Sequence, residues 1–394
     1  MLHFILLGAS DCANRSAISS EQLKAWEKQE LITYAGESKD VRKFIEACSC
    51  VVLPSFYKEG VPRVLLEAMS MSKTIITTNV SGCRECVQTP FTQQGEILIG
   101  RNGILIPPKN PNALAYAMQV LQEYSTKQLI EMGKAGRQYV IDRFNMARII
   151  TSYHDVLSHI PKNARLAFVS NTTFAMFHFR INVLESLRKV GYEIHIIAPL
   201  DSYTKTLQEC GFHIHDIAID SKGLNPIKDF KTIIQLNKIF KTIQPSMVFN
   251  YTIKPAIYGS LVANILHIPN IAIITGLGYV FIDRGYKRTI LRTLVCKMYK
   301  TALKNTRQVW FLNSDDKAQF LDFKLITYTQ SFLLDSEGID TQYFTPDDYH
   351  QSTQNDHSDS KDMSFLLIAR MLWDKGVGEF VEAAKILLHR NTKT

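Results

Sequence analysis

The sequence predicts an α/β protein with two Rossmann-like domains, each a parallel sheet packed between layers of helices. Three observations carry this. From Arg165 onward, short apolar runs alternate with longer amphipathic ones, the pattern of successive strand–helix units. A length of 394 residues suits two such domains, each large enough to bury its own core. A single strand–helix unit stands alone at the C-terminal end, and residues 1–158 read as a strand–helix series that lacks its first unit.

In chain order, the first series places strands at 4–7, 32–35, 50–53, 74–77 and 103–106. Helices fall between them at 20–29, 41–47, 62–70 and 111–123, with Pro62 suited to the first position of its helix. The second series places strands at 166–170, 193–198, 213–217, 247–250, 270–274 and 308–312. Its helices are expected at 179–190, 203–210, 226–242, 255–266 and 286–304. The most apolar stretch, 255–282, carries Asn264, His267, Pro269 and Asn270 near its centre, so it reads as helix, turn and buried strand instead of a membrane span. Residues 346–361 have almost no apolar content and read as a linker. A strand at 364–369 and a helix at 378–388 follow, and a lone unit of this kind cannot bury both faces of a sheet. The strand at 364–369 is therefore expected beside the strand at 4–7, with Met1 near Thr394 and an inter-domain crossing at 161–164. The expected domains are 1–160 with 362–394, and 163–345.

The formal charge of +8 is concentrated in the middle of the chain, where residues 161–334 hold 22 Lys and Arg against 11 Asp and Glu. With no nucleic-acid reading module and no interleaved aromatic platform, this excess points to an anionic lipid surface or a phosphate-bearing substrate, and no nucleic-acid partner is expected. Residues 283–307 have eight Lys or Arg against one acid, with Leu291, Leu294, Val295, Met298 and Leu303 at roughly helical spacing, and this segment is expected to lie on an anionic leaflet through Lys287, Arg288 and Arg292. The seven cysteines are odd in number and scattered, a poor disulfide framework. Cys83 and Cys86 form one C-x2-C pair without the second pair that a zinc site requires.

Two motifs name a family. Tyr57-Lys58-Glu59-Gly60-Val61-Pro62-Arg63-Val64-Leu65-Leu66-Glu67-Ala68 resembles the E-x7-E segment of family 4 retaining glycosyltransferases of the GT-B fold. Ala369-Arg370-Met371-Leu372-Trp373-Asp374-Lys375-Gly376 resembles their phosphate-binding Arg and Lys segment. Read with its last residue joined to its first, nearly the whole chain is similar to bacterial enzymes that add N-acetylhexosamines to undecaprenyl-diphosphate-linked sugars, the N-acetylgalactosaminyltransferases among them. The resemblance implies a GT-B fold of two Rossmann-like domains facing a cleft, circularly permuted within the donor-binding domain.

The residue types suit that chemistry. A nucleotide-sugar donor leaves as a diphosphate, so its site must hold two phosphates and stabilise the charge that grows on the leaving oxygen. Arg370 offers a planar fork and Lys375 a point charge, each within a loop of a strand end. Taken alone they would read as solvated surface cations, and the flanking pattern is what assigns them to the diphosphate. By resemblance, Glu59 contacts the transferred sugar or helps stabilise the reacting centre, and Glu67 accepts hydrogen bonds from the ribose. Glu67 as a mere partner of the helix dipole stays open. Backbone around Gly60 and Val61 can face the ligand, and Gly82 and Cys83 in the turn after the strand at 74–77 allow close approach of the donor phosphates, although a tight turn alone would look the same. Where many relatives place a His facing the donor sugar, this chain has Asn250-Tyr251-Thr252-Ile253-Lys254-Pro255, which leaves Lys254 or Tyr251 for that role. His178 reads as a helix-cap or core residue.

The expected activity is transfer of an N-acetylhexosamine from a UDP-sugar to an undecaprenyl-diphosphate-linked saccharide, with retention. UDP-N-acetylhexosamine is substrate and no cofactor or metal is expected. The expected location is cytoplasmic, peripheral on the inner face of a bacterial cell membrane. A GT-B nucleotide-sugar epimerase and a non-catalytic GT-B-like protein remain the alternatives.

Overall fold

The structure is a computed structural model. It describes the chain apart from residues 11–13, 15, 58–59, 221–224, 278–280, 282–285, 347–361 and 392–394, and apart from the side chains of 286–288 and 391. The linker at 347–361, Glu59, Gly278, the start of the basic segment at 283 and Thr394 thus lie outside the described residues.

The chain opens with β1 (Leu2–Leu7), α1 (Ser20–Lys28), β2 (Thr33–Tyr34), α2 (Arg42–Ala47), β3 (Cys50–Leu53), α3 (Arg63–Ser70) and β4 (Thr74–Thr78). Next come β5 (Thr92–Gln94), β6 (Ile97–Ile99), β7 (Gly103–Ile106), α4 (Pro111–Glu123) and α5 (Thr126–Arg143). The middle of the chain forms α6 (Met146–Leu157), β8 (Arg165–Val169), α7 (Thr173–Val190), β9 (Glu193–Ala198), α8 (Thr204–Glu209), β10 (His213–Asp216), α9 (Pro226–Ile243) and β11 (Met247–Tyr251). It continues through α10 (Ile253–Ile265), β12 (Asn270–Ile274), α11 (Tyr286–Leu303), β13 (Gln308–Phe311), α12 (Ser314–Asp322) and β14 (Ser331–Leu333), before β15 (Met363–Ile368) and α13 (Val377–Asn391) close the chain.

Two compact units result. The first holds Met1–Tyr57, Val61–Asn145 and Ile339–Thr394, and its sheet runs β2-β1-β15-β3-β4-β7-β6-β5. β15 inserts between β1 and β3, parallel to both, with Leu2 opposite Met363 and Leu7 opposite Ile368. The solitary C-terminal strand is thus completed by the N-terminal series, as expected from its inability to bury two faces alone. Alternate residues feed opposite cores: Phe365 and Leu367 pack with Phe4, Leu6 and Phe380 on one face, and Leu366 packs with Leu53, Leu65 and Met69 on the other. Met1's ammonium pairs with Asp362 ahead of β15.

The second unit holds Lys58–Gly60 and Met146–Gly338, with an all-parallel sheet ordered β10-β9-β8-β11-β12-β13-β14. The chain changes unit at Asn145 and at Gly338, where the sequence pointed to 160 and 345. The reason is α6, which buries Tyr153 against Phe249 and Trp310 (ring centroids 5.3 and 4.9 Å) and so belongs to the second sheet. Residues 161–164 accordingly lie inside the second unit, between α6 and β8, and are not a crossing. Helix α7 begins at Thr173, ahead of the expected 179, because the Thr172 side chain caps it by accepting from the Ala175 N–H at 3.1 Å.

The edge of the second sheet carries a titratable ladder. His195 on β9 lies opposite His213 on β10. Its Nδ1 is 2.9 Å from His215 Nε2, and its Nε2 is 3.0 Å from Glu193 Oε1. Glu193 also has His213 Nε2 at 3.5 Å and Arg165 Nε at 3.4 Å. Burial holds His195 down to about 4 and also lowers His215, with Glu193 opposing the shift at His195. A histidine whose folded pKa is depressed takes its proton less readily than the unfolded chain does, so its contribution is complete above about 6.5 and is lost as pH falls toward 4. We expect denaturant midpoints to fall across that window, and His195→Gln to flatten the fall. An equally steep fall in the variant would show that the ladder does not cause it.

Candidate active site

The first sheet places its candidate residues at the carboxyl ends of parallel strands, where open α/β sheets bind ligands. β15 and β3 are neighbours, yet the helices that follow them lie on opposite faces: α13 packs with Phe4 and Leu6, and α3 with Val51 and Leu53. The β15/β3 pair is therefore a topological switch point, the place where open α/β sheets have their ligand crevice. Arg370 and Lys375 stand on one loop, and the other leads through Tyr57 toward Glu59.

The two loops are fastened together. Asp374 O accepts from the Phe56 N–H at 3.1 Å and from Ser55 Oγ at 3.2 Å. Gly376, at φ +79, packs so closely that a Cβ there would sit 2.1 Å from Pro54 O. From the β1 side, Ser16 O accepts the Trp373 N–H at 2.8 Å, and Ala9 O accepts the Met371 N–H at 2.9 Å. Arg370 is exposed, and Lys375 is half-buried in a short 3-10 turn directly before α13. Lys375 thus stands two residues ahead of the first amide of α13, and a cation beside a helix N-terminus is a combination suited to a diphosphate.

Helix α3 starts at Arg63 with Pro62 at its cap, one residue later than expected. Glu67 lies four residues on, over the Arg63 side chain. Its Oε1 accepts from Arg63 Nε at 3.0 Å, and burial raises its carboxyl above the usual range while the Arg63 charge opposes the rise. Val61 is half-buried and Gly60 buried. In the turn after β4, the Gly82 N–H donates to Glu85 Oε2 at 2.9 Å, so this amide already has an internal acceptor. Cys83 is fully buried beside it, and burial raises the Cys86 thiol, which makes the pair a packing element.

In the second unit, Lys254 Nζ is 2.6 Å from Asp229 Oδ1, and both side chains are mostly buried. The Tyr251 ring is enclosed, with its hydroxyl 2.8 Å from that of Tyr153, and this places it in the core and not at a sugar. His178 is half-buried in α7 and sits among Phe174, Phe177 and Tyr203, outside the hydrophobic cores. Sequence reasoning missed Lys109, which follows β7 and holds its Nζ 4.5 Å from the ring centre of Phe56 on the β3 loop. Its only sequence signal was a cation just past a strand end.

Residues 1–123 match the family described as "Glycosyl transferases group 1", and residues 165–313 match "Glycosyl transferase 4-like". A Campylobacter jejuni protein described as N,N'-diacetylbacillosaminyl-diphospho-undecaprenol alpha-1,3-N-acetylgalactosaminyltransferase is 30% identical over 230 residues, covering 57% of this chain and 60% of its own. The Vi polysaccharide biosynthesis protein VipC/TviE of Salmonella typhi is 34% identical over 83 residues, 21% of this chain and 14% of its own. Among solved structures, sucrose-phosphate synthase of Thermosynechococcus elongatus is 25% identical over 40% of this chain and 38% of its own, with a TM-score of 0.33. The chain thus spans less than two-thirds of the length of the relatives it matches. Residues 1–123 are thus similar to the group 1 glycosyltransferases and residues 165–313 to the 4-like glycosyltransferases.

Proposed function

We propose that the protein moves an N-acetylhexosamine from a UDP-sugar to a lipid-diphosphate-linked saccharide, with retention at the anomeric carbon. The observation that supports this reading is the loop 370–376 beside the β15/β3 switch point, which carries Arg370 and Lys375 directly ahead of α13. As the bond from the anomeric carbon to the diphosphate oxygen breaks, negative charge grows on that oxygen. Cations and helix amides held in advance stabilise the charge without reorganising. Glu59 is assigned to the transferred sugar and Glu67 to the ribose, with Gly60 and Val61 as backbone around the donor.

The acceptor lipid implies work at a membrane surface, on the inner face of a bacterial membrane. Among the described residues no helix is long and apolar enough to cross a membrane. Helix α11 presents exposed Lys297 and Lys300, which suit an anionic leaflet.

The test is incubation with a panel of UDP-sugars and short lipid-diphosphate acceptors, followed by mass analysis. A mass gain of one N-acetylhexosamine on the acceptor supports the proposal, and isomerisation of free UDP-sugar without transfer overturns it in favour of an epimerase. Glu67→Ala is expected to weaken UDP binding at least fivefold by calorimetry with the fold retained. Unchanged affinity would make Glu67 only the partner of Arg63.

A further inference from the structure

Helix α9 is capped by Asn225, whose side chain accepts from the Ile227 and Lys228 N–H groups at 3.0 and 3.3 Å. Its inward face is set by Thr232, Leu236, Phe240 and Ile243, all buried. At about 100° per residue the opposite face gathers Ile227, Phe230 and Ile234 in one arc, together with Lys231, Lys238 and Lys241. The three large apolar side chains are 70%, 63% and 52% exposed, and the three lysines are exposed as well. The only acid of the helix, Asp229, is turned away and neutralised by Lys254 of α10. The outward face therefore carries its three apolar side chains in its first half, with Lys231 among them, and of these residues only Lys238 and Lys241 in its second half, and the helix adds no negative charge to it.

We propose that this face of α9 docks on an anionic phospholipid leaflet, with Ile227, Phe230 and Ile234 entering the boundary between headgroups and acyl chains and Lys231, Lys238 and Lys241 lying over lipid phosphates. Charge complementarity selects this occupant. A face with three lysines and no acid repels its own copy unless something neutralises it, whereas an anionic leaflet satisfies both halves of the face at once. Helix α10 packs between α9 and α11, so the exposed Ile290, Leu294, Lys297 and Lys300 of α11 belong to the same helical layer. The inference deepens the membrane part of the proposed function and rests on it.

The test uses the full chain with phosphatidylglycerol/phosphatidylcholine vesicles and with phosphatidylcholine alone. Co-sedimentation should need the anionic lipid and should weaken at least tenfold in the triple variant Ile227→Ser, Phe230→Ser, Ile234→Ser, whose sites are exposed and leave the fold intact. In a Phe230→Trp variant, emission above the wild-type background should shift to the blue and be quenched by brominated lipid. If Lys297→Glu with Lys300→Glu abolishes binding while the α9 triple variant binds like wild type, the membrane reading stands and this inference falls. A lipid-free, concentration-dependent blue shift in the Phe230→Trp variant, with loss of dimer in the triple variant, would also overturn it, in favour of a second copy as the occupant. Binding by neither helix would overturn both.

Discussion

Replacing Lys375 with Ala is expected to cut turnover of UDP-sugar transfer more than tenfold while the circular dichroism spectrum and melting temperature stay unchanged. Lys375 is half-buried in the turn that opens α13, on a loop whose backbone is tied to both the β1 and β3 loops. The backbone that carries its ammonium is therefore fixed before any donor arrives, and a charge contact held in advance contributes about 3 kcal/mol to transition-state stabilisation. Losing such a contact lowers kcat and kcat/KM together, whereas a cation that merely held the substrate would raise KM alone. Lys375→Arg should recover part of the loss, because the charge returns but its planar fork does not reproduce the compact ammonium. Glu59→Ala is expected to cost at least as much on the assignment to the transferred sugar. Near-normal turnover in Lys375→Ala would remove the diphosphate from this loop and leave the crevice without its principal charge.

The sheets were largely legible from residue pattern because buried parallel strands are continuous apolar runs. The strands expected at 193–198, 270–274, 50–53 and 103–106 have the bounds found for β9, β12, β3 and β7. The antiparallel pair β5 and β6 was not legible, since the exposed Thr-Gln-Gln of β5 has no apolar alternation to mark it. Helix α6 was hidden for another reason. Its sequence follows the first unit without a break, and only the packing of Tyr153 onto Phe249 and Trp310 shows which sheet it serves. At the candidate site, Arg370, Lys375 and Glu67 were singled out through a pattern of neighbours, which is also why Lys109, outside any pattern, was passed over. Lys254 and Tyr251 were singled out by position relative to a strand end, but side-chain direction decides such cases: one turns to Asp229 and the other into the core.

Gly376→Ala should destabilise the first unit severely and abolish UDP binding, and a second glycine makes the reason testable. Gly376 and Gly36 both lie in the left-handed region, at φ +79 and +69. At Gly36 an added Cβ would meet nothing within 4 Å, so Gly36→Ala carries only the conformational penalty, about 1 kcal/mol. At Gly376 the added Cβ would lie 2.1 Å from Pro54 O and 2.5 Å from Pro54 C, both backbone atoms that cannot rotate away. The 370–376 loop would have to lift from the β3 loop, breaking the bond from the Phe56 N–H to Asp374 O and taking Lys375 with it. Steric conflict of this kind in a packed loop adds to the conformational strain, for a total of about 3 kcal/mol or more. For a unit of this size, that corresponds to a fall of about 6–12 °C in Tm, against about 2–4 °C for Gly36→Ala. UDP affinity should follow the same order, lost in Gly376→Ala and kept in Gly36→Ala, because only the first displaces the cations. Equal losses of Tm in the two variants would mean that the β15 and β3 loops do not approach as described, and the crevice that holds Arg370 and Lys375 beside the β3 loop would have to be redrawn.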